Sequence, residues 1–185
     1  EDECGECNGD GSSCQESYYN VDIDWTGSSQ LIIFQDSITG LEVGDEIGIF
    51  DSNAIIDNSG NTGELLVGPA SDSGFASAIW SGDQLETISI ESVDLSQFGG
   101  PILPGYQVGS SIVIKVYRPS TGMEYAATAT YSAGTGSFGD LFMAISEITV
   151  GEGEIVIDSC EDESACNFGA FAECEYIEDC FGDCG

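Results

Sequence analysis

The residues with most chemical potential lie at the two ends of the chain. Near the start, Asn8, Asp10 and Ser12 alternate with Gly9 and Gly11, between Cys7 and Cys14. Oxygen-bearing side chains at i, i+2 and i+4 can converge on one hard cation where glycines allow the tight turn, and calcium takes such ligands. No acid stands at the twelfth loop position to close the site bidentately, so this is not an EF-hand. The competing reading is a turn pinned by Cys7 and Cys14 with incidental acids. Near the other end, Asp158, Glu161 and Asp162 offer carboxylates for a second calcium site. Zinc at Cys4-x-x-Cys7 is disfavoured, because no second CxxC or histidine completes the set.

All eight cysteines, Cys4, Cys7, Cys14, Cys160, Cys166, Cys174, Cys180 and Cys184, belong to these ends. In short clusters without histidine they read as disulfides formed in an oxidising compartment, which predicts an extracellular, cell-surface or secreted protein. Three lie at one end and five at the other, both odd. Purely local pairing would leave a thiol at each end. Either one bridge joins the two ends of one chain, or the ends pair with those of a neighbouring copy. The second solution turns the ends into complementary halves of one junction.

The charge distribution marks the same boundaries. The chain carries 34 acids against two bases, Lys115 and Arg118, for a formal net charge of −32. That excludes nucleic acid and anionic membrane as electrostatic partners. It also makes bound cations the natural remedy for self-repulsion. Residues 1–16 and 158–185 hold 15 acids in 44 positions, while 17–157 hold 19 in 141, so the ends are more than twice as acidic. We therefore divide the chain into an acidic Cys-rich segment 1–16, a central domain 17–157 and a second acidic Cys-rich segment 158–185. No apolar run approaches the ~20 residues of a membrane-spanning helix, so no membrane span is expected. The start at Glu1, without methionine or signal peptide, suggests a processed or excised piece.

The elements that must position these ends are strands. Short apolar runs separated by Gly, Asn, Asp and Ser predict strands near 18–25, 30–34, 46–50, 64–67, 75–80, 86–93, 111–117, 124–131, 142–150 and 154–157. Alternation is clearest in Ile112-Val-Ile-Lys-Val-Tyr117 and Val21-Asp-Ile-Asp-Trp25. Turn chemistry falls between the runs, as at Asn58-Ser-Gly60 and Pro119-Ser-Thr-Gly122. Without intervening helices, this predicts an all-β fold, an antiparallel β-sandwich, with small disulfide-rich irregular segments at both ends.

The series Leu41-Glu-Val-Gly-Asp-Glu-Ile-Gly-Ile-Phe-Asp51, Gly63-Glu-Leu-Leu-Val-Gly68, Ile79-Trp-Ser-Gly-Asp83, Gly105-Tyr-Gln-Val-Gly-Ser-Ser-Ile112 and Met123-Glu-Tyr125 resembles a β-sandwich module repeated in large surface proteins of marine and gliding bacteria. The end segments resemble the Cys/Asp/Gly repeats that flank domains in such proteins, and distantly thrombospondin type 3 calcium repeats. The motifs carrying this are Asp2-Glu-Cys-Gly-Glu-Cys-Asn-Gly-Asp-Gly-Ser-Ser-Cys14, Asp162-Glu-Ser-Ala-Cys-Asn167 and Asp179-Cys-Phe-Gly-Asp-Cys184. The resemblance implies tandem recurrence of the two halves, with disulfides and calcium at their junction. Asp36-Ser37-Ile38 resembles an O-glycosylation motif of gliding bacteria, which makes Ser37 a candidate glycan site.

No catalytic constellation emerges. Without histidine, Ser/His and Cys/His pairs are impossible, and nothing singles out two carboxylates for glycoside cleavage. Asp45, Asp51, Asp57 and Asp72 fall in predicted loops, where solvated acids are the default. Trp25, Trp80, Tyr106 and Tyr117 offer rings for sugar stacking, although strand aromatics more often fill cores. Lys115 reads as a salt-bridged lysine ahead of an isopeptide donor. The expectation is a non-enzymatic structural protein: a repeat or protomer of an extracellular filament, stalk or adhesin, joined head to tail to copies of itself. The alternative is a carbohydrate- or surface-binding module whose partner is a surface polysaccharide.

Overall fold

The computed structural model describes residues 17–70 and 78–155. Nine strands follow in order: β1 (Ser29–Phe34), β2 (Glu46–Ile55), β3 (Thr62–Gly68), β4 (Leu85–Ile90), β5 (Val93–Asp94), β6 (Ile102–Leu103), β7 (Ile112–Arg118), β8 (Met123–Ala133) and β9 (Phe142–Ile155). Among the described residues the only helical element is a single 3-10 turn at Ser96–Phe98, so the expectation of an all-β fold is met.

The strands do not divide into two facing antiparallel sheets. Seven form one sheet in the order β3-β2-β7-β8-β9-β1-β4, and β5 with β6 makes a small ribbon. Every pairing is antiparallel except β1 with β9, where Leu31 to Phe34 run parallel to Phe142 to Ile145. The large sheet curls until its edges approach, and just beyond β3 the Ala70 amide donates to the Ile88 carbonyl of β4 at 2.9 Å. Closing the edges on each other protects backbone groups that an open sheet would leave bare.

Alternation decides what the curl encloses. Ile32 and Phe34 of β1, Ile47 and Ile49 of β2, Ile114 and Val116 of β7, and Met143 and Ile145 of β9 point inward and are nearly fully buried. Loop residues complete the core: Trp80 is buried, and Tyr106 stacks on Phe138 with ring centroids 4.2 Å apart.

Residues 18–25 were expected as a strand and are not one. Their alternation still reports burial, with Val21 inside and Asp22 and Asp24 exposed, but they form no backbone ladder with any described strand. Of the strand expected at 154–157, Glu154 and Ile155 instead end β9, which continues through Gly151 and Gly153 without a break, and residues 156–157 lie outside the described residues. Of the strand expected at 75–80, residues 75–77 lie outside the described residues, and Ile79 makes an isolated bridge to Glu46.

Candidate functional site

The register brings four residues into one row at one end of the curled sheet. Glu46 of β2 pairs with Tyr117 of β7, Tyr117 with Glu124 of β8, and Glu124 with Glu154 of β9. Directly opposed antiparallel residues share a face, and the period of two sends Ile47, Ile49, Ile114 and Val116 to the opposite, core side. The outer face at this end therefore presents Glu46, Gly48 and Phe50 from β2, Lys115 and Tyr117 from β7, and Glu124 from β8.

The first described residues lie across this face. Ser17 Oγ and the Tyr18 amide both donate to Glu46 Oε2, at 2.7 and 2.8 Å. The Tyr18 ring stacks on Tyr117 with centroids 4.0 Å apart. Tyr19 is 4% exposed, meets Tyr18 and Phe50 edge to face, and donates its hydroxyl to Glu124 Oε2 at 2.9 Å. Its ring requires Gly48 beneath it, because a Cβ there would lie 2.7 Å from Tyr19 Cε1. The last described residue, Ile155, immediately follows Glu154 in the same row and pairs with Met123. The chain thus enters and leaves the domain at the same end, three strand spacings apart or about 14 Å. The domain does not separate its two attachment points by its own length.

Both basic residues of the chain serve this end. Lys115 Nζ lies 2.8 Å from Glu64 Oε1, 3.7 Å from Glu124 Oε1 and 4.5 Å above the Phe50 ring centroid, so it is the salt-bridged lysine expected. Arg118 grips Asp45 bidentately, Nε to Oδ1 at 2.9 Å and Nη2 to Oδ2 at 2.7 Å, and reaches Glu42 with Nη1 at 3.0 Å. Four carboxylates, Glu42, Asp45, Glu64 and Glu124, thus surround two cations, and Glu46 stands in the same row as Glu124. The surplus negative charge faces the points where the two most acidic segments attach.

The tyrosines respond to this environment. Burial, reinforced by the Glu124 charge, pushes the Tyr18 hydroxyl up to about 12, and the same causes push Tyr19 higher still. Burial draws Lys115 down, but its hydrogen bond to Glu64 and the charges of Glu124 and Glu64 outweigh that and raise it. All three groups hold their protons more tightly folded than unfolded. Their stabilisation is therefore complete below about pH 10, the unfolded tyrosine value, and is lost as pH rises beyond it. Titration of tyrosine absorbance near 295 nm is expected to show a fraction of the seven tyrosines ionising only with a cooperative loss of circular dichroism above about pH 10. Ionisation of all seven near pH 10 with the fold intact would contradict this placement.

Asn8, Asp10, Ser12, Asp158, Glu161, Asp162 and all eight cysteines lie outside the described residues. Among the described residues, no group of three or more Cys, Asp or Glu is arranged to hold a metal ion. Ser37 is exposed, and its Oγ donates to the Ser146 carbonyl at 3.1 Å. Two acids expected as solvated loop residues are buried instead. Asp45 is 1% exposed because Arg118 and the Glu42 amide satisfy it. Asp51 is fully buried within β2, where its two oxygens accept from the Asn53 and Gln107 amides, each at 2.8 Å. Asp57 does sit in a turn, its carboxyl held below the usual range by Asn61 and the amides of the turn. Asp72 lies outside the described residues.

Of the four aromatics considered for sugar stacking, Trp80 and Tyr106 are core and Tyr117 lies beneath Tyr18. Trp25 is 40% exposed and follows a groove of about 310 Å³ that Val21, Asp22, Ile23, Asp24, Ile56, Asn58 and Pro104 line. Sequence reasoning missed the row at the shared end. The available signals were the Tyr18-Tyr19 doublet at the domain boundary and the closeness of the two bases, Lys115 within the predicted strand 111–117 and Arg118 directly after it. No protein-family model, curated protein or solved structure matches the chain.

Proposed function

We propose that the protein is a structural module of an extracellular surface assembly, joined head to tail to further copies through its acidic Cys-rich ends, with disulfides and calcium at the junction. The observation that carries the reading is the shared end: both acidic segments attach along the row from Glu46 to Glu154. Segments carrying 15 of the 34 acids, brought together beside a face already rich in carboxylates, repel one another unless a cation intervenes. Because the attachments share one end, the curled sheet projects sideways from the junction, and the junction sets the axial spacing. The buried carboxylates Asp45 and Asp51 are satisfied by Arg118 and by backbone amides, which fits a scaffold rather than a reaction centre.

Calcium is expected to raise the melting temperature of the non-reduced protein, because a ligand bound to the folded state alone stabilises it by mass action. Differential scanning calorimetry in calcium and in EDTA measures this, and identical transitions would remove calcium from the account. The second reading, a carbohydrate-binding module, draws on the groove lined by Ile23 and Asp24 and on the exposed Trp25 that follows them in sequence. Affinity electrophoresis through acidic and neutral polysaccharides, with Trp25→Ala as control, distinguishes it by retardation that the substitution abolishes.

A further inference from the structure

We propose that the open edge of β9 at the shared end, Thr149 to Ile155, takes an extended basic segment of another protein as an added strand. Among the described residues, β9 is paired on both sides only at its start. β8 follows one side as far as Ile155, whereas β1 pairs with Phe142 to Ile145 on the other and then leaves. The loop after β1 screens the next residues. The Gln35 amide donates to the Ile145 carbonyl, Ser37 Oγ to the Ser146 carbonyl and Thr39 Oγ1 to Glu147. Gly40 lies against the Ile148 carbonyl with no room for a Cβ. Beyond Ile148, no described backbone group pairs with this side of β9, and Thr149, Gly151 and Glu152 are exposed. Every second residue of such an edge turns its amide and carbonyl outward, where an added strand can meet them.

Charge decides the kind of partner. The edge sequence Thr149-Val-Gly-Glu-Gly-Glu-Ile155 holds two acids and no base, and Glu154 stands in register with Glu124 of β8. Pairing with the same edge of a second copy would bring four acids together, and like charges across a strand pair destabilise it. A copy has no base to offset them, since Lys115 is engaged by Glu64 and Glu124, and Arg118 by Asp45 and Glu42. A β-bulge, in which Gly151 and Glu152 oppose the single Ala126, further blunts the edge against indiscriminate pairing. A strand from another protein with lysine or arginine at alternate positions gains backbone hydrogen bonds and ion pairs together. The inference goes beyond the proposed junction and needs neither calcium nor the cysteines.

The test uses the full chain in EDTA at physiological salt, with a short labelled peptide that alternates lysine with threonine. Two further peptides carry N-methyl groups on alternate residues, one on the lysines and the other on the threonines. Strand addition uses the amides of only one of these sets. Fluorescence anisotropy is therefore expected to show one methylated peptide binding like the parent and the other at least about tenfold more weakly. A peptide alternating glutamate with threonine is expected not to bind. In nitrogen–proton correlation spectra, amides within Thr149–Ile155 are expected to gain protection from exchange when the parent peptide is added. Glu152→Lys, at an exposed position, should weaken the parent peptide by about threefold or more without changing the circular dichroism. Equal binding of both methylated peptides would reduce the attraction to undirected charge and overturn the proposal, as would protection gained elsewhere in the sheet. Protection of these amides in a concentration-dependent dimer of the protein alone would assign the edge to a second copy instead, and so overturn it too. Because calcium is absent throughout, failure of the edge leaves the proposed function standing, and the reverse also holds.

Discussion

Arg118→Ala is expected to lower the unfolding free energy by about 3–5 kcal/mol, because it strands a buried carboxylate without its cation. Asp45 is 1% exposed and takes two of its hydrogen bonds from the guanidinium. With Arg118 removed, only the Glu42 amide remains to satisfy it. The substitution also removes the cation above the Tyr125 ring, 5.4 Å from its centroid, and the contact with Glu42. Arg118→Lys keeps the charge but not the planar fork, so an intermediate loss is expected. Urea unfolding measures both, with the midpoint falling and the slope unchanged if the unfolding stays two-state. A loss below about 1 kcal/mol would place the pair among solvent-screened surface ion pairs and contradict the burial of Asp45.

Tyr19→Ala is expected to cost about 3 kcal/mol, at the low end of the range for deleting a buried aromatic, because the ring covers the sheet face from outside rather than filling the enclosed core. It deletes the contacts with Phe50 and Tyr18 and the hydrogen bond to Glu124, and it opens a space above Gly48. Tyr19→Phe removes the hydrogen bond alone and is expected to cost about 1–2 kcal/mol, a value typical for a bond to a charged group. The local consequence separates this site from the core. Hydrogen exchange at the Tyr18 amide, which Glu46 accepts, should accelerate in Tyr19→Ala, while amides in the centres of β2 and β7 keep their order of protection. Equal acceleration everywhere would mean that Tyr19 belongs to the global core and does not dock the entry segment.

Local alternation made much of this fold legible. In Ile112-Val-Ile-Lys-Val-Tyr117 it placed Ile114 and Val116 inside with Lys115 and Tyr117 on the other face, because a strand's side-chain period is fixed at two. Alternation carries no information about which strand lies beside which. The parallel pairing of β1 with β9 and the single curled sheet were therefore out of reach. Glycines misled at the end of β9: Gly151 and Gly153 read as a break, yet the Tyr125 ring lies over Gly153, where a Cβ would stand 2.5 Å from its Cε1. The burial of Asp45 and Asp51 was equally hidden, since their partners, Arg118 and the Gln107 amide, are more than fifty residues away. The chemistry of the end segments was readable as residue types and spacing. The shared end to which they attach emerged only from the three-dimensional register of β2, β7, β8 and β9.

The proposed junction is tested most directly by electron microscopy of the full chain in millimolar calcium without reductant. The account predicts head-to-tail strings whose axial repeat is shorter than β9, itself about 46 Å long from its 14 residues, with domains projecting to the side and the strings dispersing in EDTA with dithiothreitol. Monodisperse single particles in both conditions would contradict it.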